Sequence, residues 1–255
     1  MKYIWLFILI ILVLLGIFGW INFIPKTVTL PILNPEDIDP NLIDTTFVFR
    51  NHDHRIPDFT FQNQEGRTIT QDEFSNKIYV ANFFFTTCPS ICPTLMKHTK
   101  LIQDEFIDDD NILLISHTVY PEHDSVQVLN AFAKLNEIIS EKWHLVTGNK
   151  HDIYEISRKG YFAISYDPSR GEDAFIHTEN VILIDKERKI RGIYTGTMLH
   201  EMNRLIEDIY TLKKRIFRES PLICTIYLTK LILVHLTIHY KLLKPHITIK
   251  EENYV

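Results

Sequence analysis

The hydrophobic pattern divides the chain into three unequal parts. From Tyr3 to Ile24 there is no charged residue and only Asn22 is strongly polar. At about 1.5 Å of rise per residue such a helix reaches roughly 33 Å, enough to cross a hydrocarbon core. No small-x-small cleavage site follows it, and Tyr3, Trp5 and Trp20 sit near its ends as interfacial anchors would. The pattern predicts a transmembrane anchor over 1–26. Prolines 25, 31, 35 and 40 then disfavour helix and predict an extended spacer over 27–51.

A folded domain is expected over 52–217. Asp58 to Gln62 alternates as a strand does, and Gly66 supplies a turn before Thr68 to Thr70. Lys77 to Phe85 and Asn111 to Val119 are continuous apolar runs of strand length, suited to burial on both faces. Between them, Leu95, Met96, Thr99, Ile102 and Phe106 share one side of a helix from about Pro93. A second helix is expected over Pro121 to Asn136, with Asp124-Ser125 as its cap and Val128, Leu129, Phe132 and Leu135 on its apolar side. A short strand at Trp143 to Val146 and a helix from His151 to Lys159 follow, with Gly160 as the C-terminal cap. Asn180 to Asp185 and Lys189 to Tyr194 read as a hairpin. A last helix runs from Leu199 to Lys214, with Met202, Leu205, Ile206 and Ile209 as its stripe.

The order βαβαβαββα predicts an α/β sandwich with a mixed central sheet and helices on both faces, which matches the thioredoxin plan. In the tail, 218–255, Lys230, His235, His239 and Lys241 interrupt the apolar stretch from Leu222 to Leu243. A lysine at mid-span costs about 2.5–3.5 kcal/mol, so a second membrane helix is not favoured. No motif is recognisable there.

Charge removes one class of function. The net charge of −5 leaves no basic surface to neutralise a phosphate backbone, so nucleic acid is not an expected partner. Three cysteines are too few for a disulfide framework, and Cys224 stands far from the other two.

The chemistry concentrates at Phe83-Phe84-Phe85-Thr86-Thr87-Cys88-Pro89-Ser90-Ile91-Cys92-Pro93. A buried strand enters a short turn, and a helix starts at or just before Cys92. Free backbone amides and the helix dipole favour a thiolate there. The four-residue spacing lets both sulfurs face one point. Thiolate pairs suit soft ions, chiefly Cu(I) and also Zn(II), while the same pair can form a reversible disulfide. Pro93 fits the first turn of a helix, where no amide hydrogen is missed.

In the thioredoxin plan, the segment before the terminal hairpin packs beside the cysteine turn. Many thioredoxins carry a cis-proline at that place; here it holds His177, whose imidazole would complete a three-coordinate copper site. His52 and His54 are a weaker metal pair, and His98 is expected on the exposed side of its helix.

Cys88-Pro89-Ser90-Ile91-Cys92-Pro93 after an aromatic strand, with His177 downstream, resembles the Sco (SenC) family of copper chaperones. Asp58 to Phe61 with Gly66, Thr118-Val119-Tyr120-Pro121-Glu122-His123-Asp124 and Gly192 to Thr197 resemble further stretches of that family. The resemblance spans about Arg55 to Lys214. It departs from the family where Ile176 and Tyr120 replace frequent aspartates. It implies Cu(I) or Cu(II) held by Cys88, Cys92 and His177. It further implies delivery to the copper-accepting subunit of cytochrome c oxidase, from the outer (periplasmic) side of a bacterial cytoplasmic membrane. The alternative is a thiol–disulfide oxidoreductase with Cys88 as nucleophile and Cys92 as resolving thiol. A peroxidase-like role lacks an arginine near Cys88, and a closed zinc site would want four ligands.

Overall fold

A computed structural model describes residues 29–38, 53–163 and 178–219, with Ile4 in addition; for 215–219 only the backbone is described. The strands are β1 (Thr60–Asn63), β2 (Thr68–Thr70), β3 (Ile78–Phe84), β4 (Ile112–Thr118), β5 (Trp143–Thr147), β6 (Asn180–Ile184) and β7 (Ile190–Thr195). The helices are α1 (Ile91–Glu105), α2 (Val126–Leu135), α3 (Lys150–Glu155) and α4 (Leu199–Glu219).

All seven described strands form one sheet in the order β2-β1-β5-β4-β3-β6-β7. The central strands β3, β4 and β5 are parallel, and the flanking pairs are antiparallel. Every residue of β3 and β4 is buried, as their unbroken apolar runs require when both faces are covered.

The alternation along β3 assigns the layers. Asn82 and Phe84 face one side, where Asn82 Nδ2 donates to Thr99 on α1 and Phe84 packs on Phe132 of α2. Amphipathic α4 lies on the same side, with Met202, Leu205, Ile209 and Leu212 buried and Tyr194 of β7 donating to Asp208. Phe83 faces the other side, against His117 of β4 and Tyr161 beyond α3. A short 3-10 helix, Gln71–Phe74, covers Tyr79 and His144 there. This is the expected mixed-sheet, thioredoxin-like sandwich.

Several local expectations need correction. Residues 29–38, read as part of a free spacer, lie on the domain. Leu33 donates its amide to Ile190 O at 2.9 Å, and the buried Arg191 binds Asp185 at 2.8 Å and Pro31 O at 2.8 Å. The unpaired backbone of an edge strand is thereby partly satisfied. Helix α2 starts at Val126, after a turn through Pro121 to Asp124, and Ser125 alone is its N-cap. Of the stripe expected there, Leu135 is 83% exposed, because the helix ends at that residue. Gly160 is not a left-handed cap. It closes a π-helical turn, Ile156–Gly160, and the left-handed residue is Phe162 at φ 50°. Gly160 is needed for space, since a Cβ would lie 2.9 Å from Ile156 Cγ1 and 3.1 Å from Pro57 Cδ.

Among the described residues no helix is long and apolar enough to cross a membrane. The anchor expected over 1–26 lies outside them, Ile4 apart, as does the tail beyond Glu219.

Gly196 marks the closest approach of the hairpin to α1. A Cβ there would lie 2.3 Å from Leu95 Cδ1, 2.6 Å from Val181 Cγ2 and 3.0 Å from the Glu179 carbonyl oxygen. Leu95 and Val181 are fully buried and cannot swing into solvent. Gly196→Ala is therefore expected to cost about 1–3 kcal/mol, as overpacking does. Denaturant unfolding checks this, and an unchanged midpoint would mean that the contact yields.

Candidate metal and thiol site

The site begins where β3 leaves the sheet. Val119 N–H donates to Phe84 O, and Cys88 N–H folds back onto Phe85 O at 3.3 Å. Helix α1 then starts at Ile91, which puts Cys92 in its first turn. The helix opens without a side-chain cap, so its first amides are free for another acceptor. Pro93, also in the first turn, has no amide hydrogen to leave unpaired.

Both sulfurs are free thiols and buried. Their environments differ. Burial pushes the Cys88 thiol up, but hydrogen bonds outweigh it and leave its pKa below the ordinary value. The donors are the Cys92 thiol, the Cys92 and Ser90 amides and the Ser90 hydroxyl, whose Oγ lies 3.7 Å from Sγ. Cys92 is pushed up to about 12, first by burial and then by its hydrogen bond to Cys88. The charges on Cys88 and Asp124 act in the same direction, against an opposing backbone hydrogen bond at Phe85. Cys88 thus ionises more easily than Cys92, an asymmetry set by hydrogen bonding and burial at the helix start.

Behind the turn sits a carboxylate expected from the sequence in a helix cap. Asp124 is fully buried. It accepts from the Thr86 amide at 3.1 Å and from the hydroxyls of Thr86 and Thr118, and it lies 2.9 Å from His123 Nδ1. A signal was present in the order Asp124-Ser125, where only the second residue can be the N-cap of a helix starting at Val126.

The structure brings Cys88 and Cys92 together. His177 lies outside the described residues, which stop at Ala163 and resume at Thr178. These two ends are joined, since Asn180 Nδ2 donates to Ala163 O at 3.3 Å. The β3–β6 register pairs Tyr79 with Ile184 and Ala81 with Ile182. The strand β6 therefore begins, at Asn180, toward the end of the sheet where β3 leads into the cysteine turn.

The other histidines resolve otherwise. His54 is buried and donates Nε2–H to Gly160 O at 2.7 Å, and His52 lies outside the described residues. His98 is half-buried rather than exposed, and its Nδ1–H donates to Gly196 O at 2.8 Å, which ties α1 to the end of β7. Among the described residues no three His, Cys, Asp or Glu side chains form a metal centre. Two soft sulfurs at a helix N-terminus still fit a soft monovalent ion, with a further ligand required from elsewhere.

The chain is similar in sequence and fold to known proteins. A SCO1 protein homolog of Bacillus subtilis is 29% identical over 158 residues, which cover 61% of this chain and 81% of that protein. A SCO1/SenC family lipoprotein of Bacillus anthracis superposes with a TM-score of 0.56 at 25% identity, covering 65% of this chain and 98% of the other. BsSco, described with a disulfide switch and as a member of the Sco family of cytochrome c oxidase assembly proteins, gives a TM-score of 0.54 at 25% identity over 64% and 95% of the two chains. Residues 49–214, well over half of the chain, match the family model of SCO1/SenC. By the extent of that match, and with its paired cysteines at the start of α1, this chain belongs to the SCO1/SenC family.

Proposed function

We propose that the protein is a membrane-anchored metallochaperone that holds one copper ion with Cys88, Cys92 and His177. It passes the ion to the copper-accepting subunit of a respiratory oxidase on the outer face of a bacterial cytoplasmic membrane. The observation that carries this reading is the thiol pair, buried together at the uncapped, amide-rich start of α1. Two thiolates and an imidazole satisfy Cu(I) without closing its coordination sphere, so a recipient's ligands can replace them one at a time. Support for His177 comes from its place three residues before β6, whose start lies toward the end of the sheet where β3 leads into the cysteine turn. The assignment to oxidase assembly follows the family's relatives, of which BsSco is described in those words.

Competitive Cu(I) titration of the full-length chain in detergent tests the proposal. One copper per chain is expected, with affinity reduced at least about tenfold in His177→Ala, the loss of a metal-ligand bond. Wild-type affinity retained in both His177→Ala and Cys88→Ser would sink it.

A second reading has its own support. A thiol of lowered pKa beside one of raised pKa is the pairing of an attacking and a resolving cysteine in disulfide exchange. Rapid turnover of a disulfide partner, with negligible Cu(I) affinity, would favour it over the chaperone.

A further inference from the structure

The cysteine turn is held from behind by a buried carboxylate. Asp124 sits just before the first residues of α2, and its own amide donates to Tyr120 O at 2.9 Å. Its two carboxylate oxygens meet groups from three places. The first is Thr86, two residues before Cys88, which contributes both its amide and its hydroxyl. The second is Thr118, the last residue of β4. The third is His123, on the solvent side. No Lys or Arg ion pair to Asp124 exists among the described residues. Four donors around one buried carboxylate make an unusually complete set, and burying such a group is costly unless its hydrogen bonds are made.

A merely structural cap would not require this. Strand β4 already reaches β3 through the parallel ladder as far as Thr118 with Phe84, and Ser125 caps α2 without help. Beyond Phe84 the ladder stops, and the turn through Thr86 and Thr87 would be free to shift relative to α1. The carboxylate supplies the missing register for those residues.

We propose that Asp124 is the positioning residue of the dithiol turn, fixing Thr86 to the end of β4 so that Cys88 is presented to Cys92 and to a bound ion in one geometry. This deepens the reading of Cys88 and Cys92 as the working pair, and it applies whether they carry copper or exchange a disulfide. Holding two sulfurs at a set spacing favours the compact two-sulfur states, copper-bound or disulfide-bonded, over the open dithiol.

Two measurements on the full-length chain in detergent test it. The first is the equilibrium of Cys88 and Cys92 with glutathione. Oxidised glutathione takes up two electrons and two protons as the disulfide forms, and two reduced glutathiones are released. The second is Cu(I) affinity by chelator competition. Asp124→Ala is expected to shift the glutathione equilibrium toward the dithiol at least about tenfold, roughly 30 mV, and to weaken Cu(I) about tenfold. Asp124→Asn keeps an oxygen acceptor for the Thr86 amide and should restore both to within about threefold of wild type. Ile69→Ala, at the far edge of the sheet, controls for lost stability and should move neither. A folded Asp124→Ala protein with wild-type values in both measurements overturns the proposal. If that variant does not fold, Thr118→Val decides. It removes one of the four donors, so a shift of about threefold is expected, and no shift overturns the proposal. If wild type binds no Cu(I), the copper reading fails by itself, and the glutathione equilibrium still decides the role of Asp124.

Discussion

Between pH 7 and pH 5 the protein is expected to lose about 4 kcal/mol of stability through two buried histidines alone. His117 is wholly enclosed by Phe59, Phe61, Phe83 and Tyr161, and burial lowers its pKa to about 3. His144, under Phe74, is lowered to about 4, mainly by burial. Neither ring has a hydrogen-bond partner among the described residues. Both imidazoles are therefore neutral in the folded state down to about those values, whereas in the unfolded chain they take up protons near pH 6.5. Below that pH the unfolded state binds more protons, so stability falls as pH falls, and the loss levels off only near pH 3–4. Each group contributes about 2 kcal/mol by pH 5. Burial lowers the pKa of His54 as well, against a hydrogen bond to Gly160, and adds in the same direction. Denaturant midpoints at pH 7 and 5 measure the effect, and the double variant His117→Leu/His144→Leu should remove most of it. A wild-type profile flat across that interval would show that the two rings are hydrated in the folded protein. Against a total stability of about 5–15 kcal/mol, a loss of this size is large.

The second large effect concerns the order in which the two thiols react. At pH 7.5 the thiolate fraction of Cys88 far exceeds that of Cys92, because the one pKa is lowered and the other is pushed up to about 12. The more basic thiolate is the better nucleophile and offsets part of this, so Cys88 should still be alkylated at least about tenfold faster. Iodoacetamide labelling of the reduced, copper-free chain, read by peptide mass spectrometry, gives the two rates. Equal rates would mean that the amides of Ser90 and Cys92 do not select one sulfur. A faster Cys92 would reverse the attacking and resolving roles in the disulfide reading.

Much of this molecule is legible along the chain. Continuous burial of β3 and β4 follows from runs such as Ile78 to Phe84, since an unbroken apolar segment has no face to offer water. The stripe of α1 and most of that of α4 fall where the helical period puts them. Cys88 and Cys92 could be assigned to one turn because the strand, the turn and the helix start are contiguous in sequence. Leu135 departs from its expected stripe because periodicity gives a direction only while the helix lasts, and α2 ends at that residue. The extended segment at 29–38 looked unattached because its partners, Ile190 and Arg191, lie far along the chain. The burial of His98 escapes the sequence for the same reason, its acceptor being Gly196 far along the chain.

Sequence alone thus determined the layer order, the paired strand runs and the place of the thiol pair, because hydrophobic period and helix-start chemistry are local properties. Tertiary structure alone decided that Asp124 grips Thr86 and Thr118, that His117 and His144 are sealed away from water, and that the two sulfurs differ in acidity. Each of those depends on groups distant along the chain being brought within hydrogen-bond reach or out of contact with solvent. Neither burial nor the strength of an electrostatic interaction at short range can be read from spacing.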